Sequence, residues 1–534
     1  MILLRQNEQD YNNDLRAMIM AFYPGEKIVD YEKAIKLYFD RPKHENTEDT
    51  DFLLSVHYEQ DKTIIVITDN KFEVTKAFES KETEEIAADI SEDKKEVSIS
   101  GDYKDRKIFR NKFKLALYNL LSEYVKRKLP WGDLTGVRPT KIAMKAFREG
   151  KIREEIIDYY VKTYDTSERK ASLAYEVAAN ETKLVRGIDL KNSYCLYIGI
   201  PFCPSRCLYC SFTSYPIELH KDKVDIYIDR LCEELDIVAD KYKDKRLTAI
   251  YMGGGTPTSI NHTQLDRLLT HIDKAFKLDR LSVSNIHNEN NIVNRTDNNR
   301  NYDTLEYTIE AGRPDSITRE KLLVMRAHNV TRISINPQTM NDGTLKRIGR
   351  AHTVFDVLNA FSLARECGFD NINMDIIAGL PCEDLSMMEH TLDVIKKLKP
   401  DSLTVHSLAI KRAARLNEKM DEYKDEINHD MDAMLDKVFD TAAFLGMKPY
   451  YLYRQKNIGG NLENVGYSTP GKECIYNVLI MEELTDIIAV GAGSSSKYVI
   501  RDEEDNVIRI DRSENCKSID DYIDRFDEMI GRKR

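Results

Sequence analysis

The sequence predicts an α/β protein: a partial (β/α)6 barrel preceded by an N-terminal α+β domain and followed by a mixed C-terminal domain. Three observations point there. Six short apolar runs between 194 and 410 alternate with amphipathic helical patterns, as repeated βαβ units of a parallel sheet do. Glycine-rich and polar stretches follow those runs, where such sheets bind ligands. The chain has 534 residues, more than a single small core needs.

Residues 1–125 read as the α+β domain. TIIVIT (63–68) and EVSIS (96–100) are expected strands, and IFRNKFKLALYNLLSEYVKRKL (108–129) an amphipathic helix. The charged stretch 80–96 reads as surface. Residues 126–190 form a mainly helical connector, which opens with WGDLTGVRPTK (131–141). That segment holds the single tryptophan and two turn-forming glycines and is expected to be a basic, ordered loop.

The six barrel runs, in a domain spanning 191–415, are YCLYIGI (194–200), LTAIYMG (247–253), TLEYTIEA (304–311), RISINPQ (332–338), NINMDIIAGL (371–380) and SLTVHSLAI (402–410). Six units fall short of the eight of a closed (β/α) barrel. Helical patterns at 224–242 and 355–367 lie between runs. An asparagine-rich stretch, NIHNENNIVNRTDNNRN (285–301), lacks apolar periodicity and reads as a surface insertion. The last domain, 416–534, contains 449–477 and VGAGSSSK (490–497), expected as a binding face or lid that covers substrate rather than as regular core.

Hydrophobic residues make up 42% and charged residues 32%, as in soluble globular proteins. A net charge of −11 argues against a large nucleic-acid footprint. The N-terminal MILLRQNEQDYNND lacks the apolar core of a signal peptide, and no run approaches the ~20 apolar residues of a membrane span. Nine cysteines, an odd number at low density, suit a reducing cytoplasm.

Three of those cysteines, Cys203, Cys207 and Cys210, lie within eight residues, CPSRCLYC. A disulfide would strand one thiol. A structural zinc site takes four ligands, often as paired knuckles, and no second close pair exists. A [4Fe–4S] cluster held by three thiolates would leave one iron open to a small molecule. From spacing, the cluster is favoured, with zinc and coincidence still open.

YIGIPFCPSRCLYC resembles the cluster loop of radical S-adenosylmethionine (SAM) enzymes. Its form Tyr-x-x-Ile-Pro-Phe-Cys-x3-Cys-x-Tyr-Cys is similar to that of the oxygen-independent coproporphyrinogen III oxidase (dehydrogenase) family. GGGTPTS, EAGRPD, RISINPQ, NINMDIIAGLP and SLTVHSL resemble that family's motifs in the same order, across roughly 190–415. WGDLTGVRPTK, YYLYRQKNIGGNLENVGYS and PGKECIYN resemble its HemZ-type branch. Where well-studied members carry a further cysteine, this chain has Phe212, as that branch does. Where many have a histidine, it has Gly199.

The resemblance implies a radical SAM barrel whose cluster is held by Cys203, Cys207 and Cys210. Tyr197 and Tyr209 match aromatic positions that meet the first SAM, and Tyr197 is carried over as catalytic too. Gly254, Gly255 and Thr256 match the glycine motif against SAM, and Glu310 an acid that binds it. Gln338, Arg350, Asp375 and Ala409 match positions assigned to a second SAM or to the adenosine of the first. Arg138, Lys141, Arg412, Arg454 and Lys456 are candidate donors to an anionic substrate. The implied reaction converts two propionates of coproporphyrinogen III to vinyl groups, with an electron donor such as flavodoxin or ferredoxin and a monomer expected. The rival readings are a haem chaperone of the same superfamily, or a radical SAM enzyme for another tetrapyrrole or a modified base.

Overall fold

A computed structural model describes residues 1–34, 52–69, 94–136, 138–278, 305–411, 414–423, 430–455 and 459–533. The asparagine-rich stretch 285–301, most of 80–96, Arg412 and Lys456 lie outside the described residues. The chain divides into two units. One comprises Met1–Pro139, Lys145–Leu173 and Arg454–Leu462; the other comprises Thr140–Met144, Ala174–Tyr453 and Glu463–Arg534.

The first unit contains the sheet β2-β1-β3-β4-β5, built from β1 (Ile2–Gln6), β2 (Ile28–Asp30), β3 (Phe52–Tyr58), β4 (Lys62–Asp69) and β5 (Lys94–Ser100). In β3, Phe52, Leu54, Val56 and Tyr58 are buried, the period of two of a half-buried strand. Helices Asn12–Phe22 and Arg106–Val125 contribute Leu15, Met18, Phe109, Phe113 and Leu117 to the same core. The second helix ends four residues before the expected 129. Lys126 turns left-handed (φ 55°) and its N–H closes onto the Ser122 carbonyl. Of the loop expected over 131–141, residues 131–136 are an ordered loop, 137 lies outside the described residues, and Thr140 and Lys141 open a helix (Thr140–Arg148) instead. Arg454 lies 5.1 Å over the Trp131 ring and donates to the carbonyls of Leu134 and Gly136.

The second unit holds β6 (Ser193–Ile200), β7 (Phe202–Cys203), β8 (Tyr215–Pro216), β9 (Arg246–Gly254), β10 (Glu306–Glu310), β11 (Arg332–Ser334), β12 (Ile372–Ala378) and β13 (Ser402–Ser407). It continues with β14 (Lys448–Arg454), β15 (Glu463–Ser468), β16 (Asp486–Val490), β17 (Ser495–Arg501) and β18 (Val507–Glu514). Among the described residues the large sheet runs β14-β15-β13-β12-β11-β10-β9-β6-β16-β17-β18. The six expected runs are its centre, adjacent in chain order and all parallel. Their carboxyl ends therefore lie along one edge, and the motifs that follow them come together.

Helix Lys221–Lys241 shows how the outer layer is encoded. Val224, Tyr227, Ile228, Leu231, Leu235 and Val238 recur at helical spacing and are all buried. Tyr227 meets Phe202 edge-on at 5.4 Å, and Tyr242 just beyond the helix packs on Tyr194 at 5.0 Å.

The C-terminal region is regular structure, contrary to the expectation that it stands outside the regular core. Residues 449–477 supply sheet strands β14 and β15 and the start of helix Ile475–Glu482. β15 pairs antiparallel with β13, while β16 pairs parallel with β6. These strands extend both edges of the six-stranded centre, satisfying backbone groups that would otherwise face solvent.

Candidate active site at the strand ends

The cysteine loop leaves β6 and is tied down along its length. β7 and β8 pair across its two ends. The Phe202 carbonyl accepts from the Thr256 N–H (2.7 Å) and the Ser259 hydroxyl (3.1 Å). Leu208 N–H donates to Ile348 O, and Leu208 O accepts from Leu416 N–H. Arg313, buried, donates to the Ser205 carbonyl at 3.1 Å.

All nine cysteines are free thiols. Cys203 and Cys207 are buried and Cys210 half-buried. Cys203 Sγ lies 3.3 Å from Thr256 Oγ1, and Cys207 Sγ 3.9 Å from Arg313 Nη1. Burial, with Cys210 and Cys207 adding to it, pushes the Cys203 thiol up to about 11, against the hydrogen bond from Thr256. Burial raises Cys210 as well. Loading a metal group would therefore release protons.

Among the described residues, no three His, Cys, Asp or Glu side chains gather around one point as a single-ion site requires. A [4Fe–4S] cube binds each thiolate through a different iron, so its ligands need not converge on one point. Three free thiols that feel one another's charge, with donors beside two sulfurs, fit that group.

The glycine turn after β9 is shaped by close contact. Gly254 has φ +106°, and a Cβ on Gly255 would lie 2.5 Å from the Phe202 carbonyl oxygen. A Cβ on Gly253 would lie 3.0 Å from the Glu310 carboxylate. Glu310 closes β10 and accepts from the Tyr251 hydroxyl. Burial pushes its carboxyl up to about 7; the Tyr251 hydrogen bond opposes the shift and Asp375 adds to it.

Asp375 on β12 behaves oppositely. Burial opposes its charge, but His406 Nε2 (3.8 Å) and the Asn373 amide (2.6 Å) outweigh burial and hold it below the ordinary carboxylate range. Gln338 is a non-glycine residue at φ 68°, bridged to β12 through its N–H on Asp375 O (2.9 Å) and its carbonyl on Ile377 N–H (3.0 Å). Such a conformation costs about 1 kcal/mol or more and recurs at ligand sites. The buried side-chain oxygens Gln338 Oε1 and Asn336 Oδ1 have no hydrogen-bond partner among the described residues. Two orphaned acceptors beside the strand ends suit a ligand that brings N–H or O–H donors.

Arg350 is buried. Its guanidinium joins the Tyr209 hydroxyl (3.0 Å) to the carbonyls of Gly312 (2.7 Å) and Asn336 (2.8 Å). It thereby ties the cysteine loop to the ends of β10 and β11. Ala409 is buried just after β13. Tyr197 lies 6.3 Å from the Tyr251 ring and 6.4 Å from Tyr476, both stacked. Of the substrate candidates, Lys141 is exposed and Arg138 half-buried, whereas Arg454 is buried on backbone carbonyls.

Several residues around these positions escaped the sequence reading: Tyr251, Arg313, Asn336, Asn373, His406 and Tyr476. Tyr251 precedes Gly253 by two, so strand periodicity alone could have placed it on the glycine's face. Arg313 sits inside EAGRP. Tyr476 carried no local signal. Its ring stacks on Tyr251 at 4.5 Å from a helix that begins 221 residues after the end of β9 (475 − 254).

No helix among the described residues is long and apolar enough to cross a membrane. Comparison with known proteins finds the family model "Radical SAM superfamily" over residues 197–395. The chain is 38% identical over 441 residues to the oxygen-independent coproporphyrinogen-III oxidase-like protein HemZ of Bacillus subtilis (strain 168), covering 82% of this chain and 83% of that one. It is 34% identical over 214 residues to the heme chaperone HemW of the same organism, covering 40% and 50%. Among solved structures, coproporphyrinogen III oxidase (HemN) from Escherichia coli aligns with a TM-score of 0.47 and 22% identity, over 66% of this chain and 72% of that one.

Proposed function

The chain belongs to the radical SAM superfamily, within the HemZ-type oxygen-independent coproporphyrinogen-III oxidase-like proteins, and we propose that it oxidatively decarboxylates two propionates of coproporphyrinogen III to give protoporphyrinogen IX. Its cofactors are a [4Fe–4S] cluster and SAM. One observation supports the chemistry above the others: three free thiols follow β6 beside the glycine turn of β9, which in turn packs on the half-buried acid of β10. The choice of substrate is supported by likeness to HemZ through most of both chains.

Cys203, Cys207 and Cys210 would hold the cluster. When bound, the cluster and SAM supply the radical chemistry that takes hydrogen from a propionate side chain, after which carbon dioxide leaves and one electron passes to an acceptor. Gly254 and Gly255 let the backbone approach SAM without a Cβ in the way. Glu310 offers a carboxylate to a cationic amino group, which would favour its ionised form. Asn336 and Gln338 offer orphaned oxygens to donors of the bound ligand, and Arg350 holds Tyr209 against the strand ends. Tyr197, Tyr251 and Tyr476 form an aromatic wall that excludes water. A low-potential donor such as flavodoxin or ferredoxin, acting in the cytoplasm on a monomer, completes this reading.

The test is anaerobic reconstitution of the full chain with iron and sulfide, then incubation with SAM, a reductant and coproporphyrinogen III. The expected products are protoporphyrinogen IX and two carbon dioxide molecules per substrate. Cleavage of SAM with the substrate untouched would defeat the substrate assignment. Stoichiometric haem binding without turnover would favour a chaperone, the role named for HemW, whose likeness covers 40% of this chain.

A further inference from the structure

We propose that Arg313 and Asp315 together set the reduction potential of the cluster held by Cys203, Cys207 and Cys210. The proposal rests on the radical SAM reading of that loop.

Arg313 is 3% exposed, and each of its three side-chain nitrogens donates a hydrogen bond. Nε and Nη2 donate to Asp315 Oδ1 (2.9 Å) and Oδ2 (2.8 Å). Nη1 faces the cysteine loop, 3.1 Å from both Ser205 O and Ser205 Oγ and 3.9 Å from Cys207 Sγ. A guanidinium stays charged at any ordinary pH, so this is a permanent cation within hydrogen-bonding reach of a ligand sulfur.

Reducing a cluster adds negative charge, part of it on the sulfurs. A positive N–H donor stabilises the reduced form more than the oxidised form, so the potential rises. The Asp315 carboxylate, also partly buried, opposes this through the same guanidinium. The pair is thus a graded element: Arg313 raises the potential and Asp315 restrains it. Thr256, 3.3 Å from Cys203, adds a neutral hydroxyl. The effect of Arg313 should be larger, because charged donors interact more strongly than neutral ones. A loop-anchoring role for Arg313 would be served by the Ser205 contacts alone. The contact that distinguishes the proposal is the one to Cys207 Sγ.

The experiment is an equilibrium redox titration of the anaerobically reconstituted full chain, followed by electron paramagnetic resonance of the reduced cluster. Arg313→Gln should shift the midpoint downward. Asp315→Asn leaves the guanidinium uncompensated and should shift it upward. Opposite signs are the test, since loosening of the loop would disturb both variants in the same direction. Should Arg313→Gln fail to hold iron, Asp315→Asn still decides, because it retains Arg313 and every contact to Ser205 and Cys207. Unchanged midpoints, or shifts of one sign, in clusters of normal iron content would overturn the proposal and leave the radical SAM reading intact. Absence of a cluster in the unaltered chain would overturn both.

Discussion

Tyr251 donates its hydroxyl to Glu310 across adjacent parallel strands, placing a phenol against a carboxyl whose protonation burial has pushed up to about 7. This contact links the stacked tyrosines to the acid proposed to bind SAM.

The first prediction concerns pH. The folded Glu310 binds a proton that the unfolded chain has lost between its ordinary 4.5 and about 7. Stability of the SAM-free protein therefore falls as pH rises through that window and levels off above it. The total is on the order of 2 kcal/mol. SAM binding should run the opposite way, tightening as Glu310 ionises. Glu310→Gln should flatten both profiles, and Tyr251→Phe should move the binding midpoint to higher pH. Chemical denaturation and SAM titration between pH 5 and pH 9 would check this. Unaltered profiles in Glu310→Gln would remove Glu310 from the site.

Cluster content tests the thiols. The unaltered chain should hold about four irons after reconstitution, and Cys207→Ala should lose them. Cys232→Ala, on the outer helix Lys221–Lys241, should keep them. Iron and sulfide analysis decides. Equal iron in both variants would refute the cluster assignment.

The glycine turn makes a steric prediction. In Gly255→Ala the new methyl would sit 2.5 Å from the Phe202 carbonyl and 3.0 Å from that of Ile200. The turn or the cysteine loop must shift, so SAM affinity should drop by at least about tenfold, or roughly 1.4 kcal/mol. Gly343→Ala meets nothing within 4 Å and serves as the control. Calorimetric binding of SAM to the reconstituted variants measures the difference, and equal affinities would contradict the proposed approach of backbone to ligand.

A fourth prediction concerns the C-terminal helix. Glu306 on β10 accepts from the backbone N–H groups of Ile475 (2.6 Å) and Tyr476 (3.0 Å) and from Cys474 Sγ (3.2 Å). Glu306→Ala orphans these donors and should cost about 1–3 kcal/mol. Tyr476→Ala, removing a buried ring stacked on Tyr251, should cost about 3–5 kcal/mol and weaken SAM binding. Tyr476→Phe should preserve both. Urea denaturation supplies the stability figures. SAM affinity unchanged in Tyr476→Ala would sever this helix from the site.

How much of this was legible in the sequence depended on chain distance. The thiol spacing of CPSRCLYC, the glycine run 253–255 and the acid of TLEYTIEA are all local. Parallel strands bring their carboxyl ends to one edge, and Glu310, Gln338 and Asp375, which the family resemblance implies as site residues, stand on or just after three of those strands. The C-terminal region is less legible for the opposite reason. Its Tyr-, Asn- and Gly-rich composition hides the strands it contributes on both sides of the sheet. Arg454, a candidate donor to an anionic substrate from sequence, instead donates to the carbonyls of Leu134 and Gly136.

The sequence by itself determined the βαβ repeats, the cysteine loop and the side-chain types that follow each strand, because periodicity and spacing act between near neighbours. Only the tertiary structure decided that Tyr476 backs Tyr251, that Glu306 caps the helix behind it, and that Arg313 reaches Cys207. Those contacts join residues 106 to 225 positions apart (313 − 207; 476 − 251). They are selected by burial and long-range strand pairing, which no local pattern records.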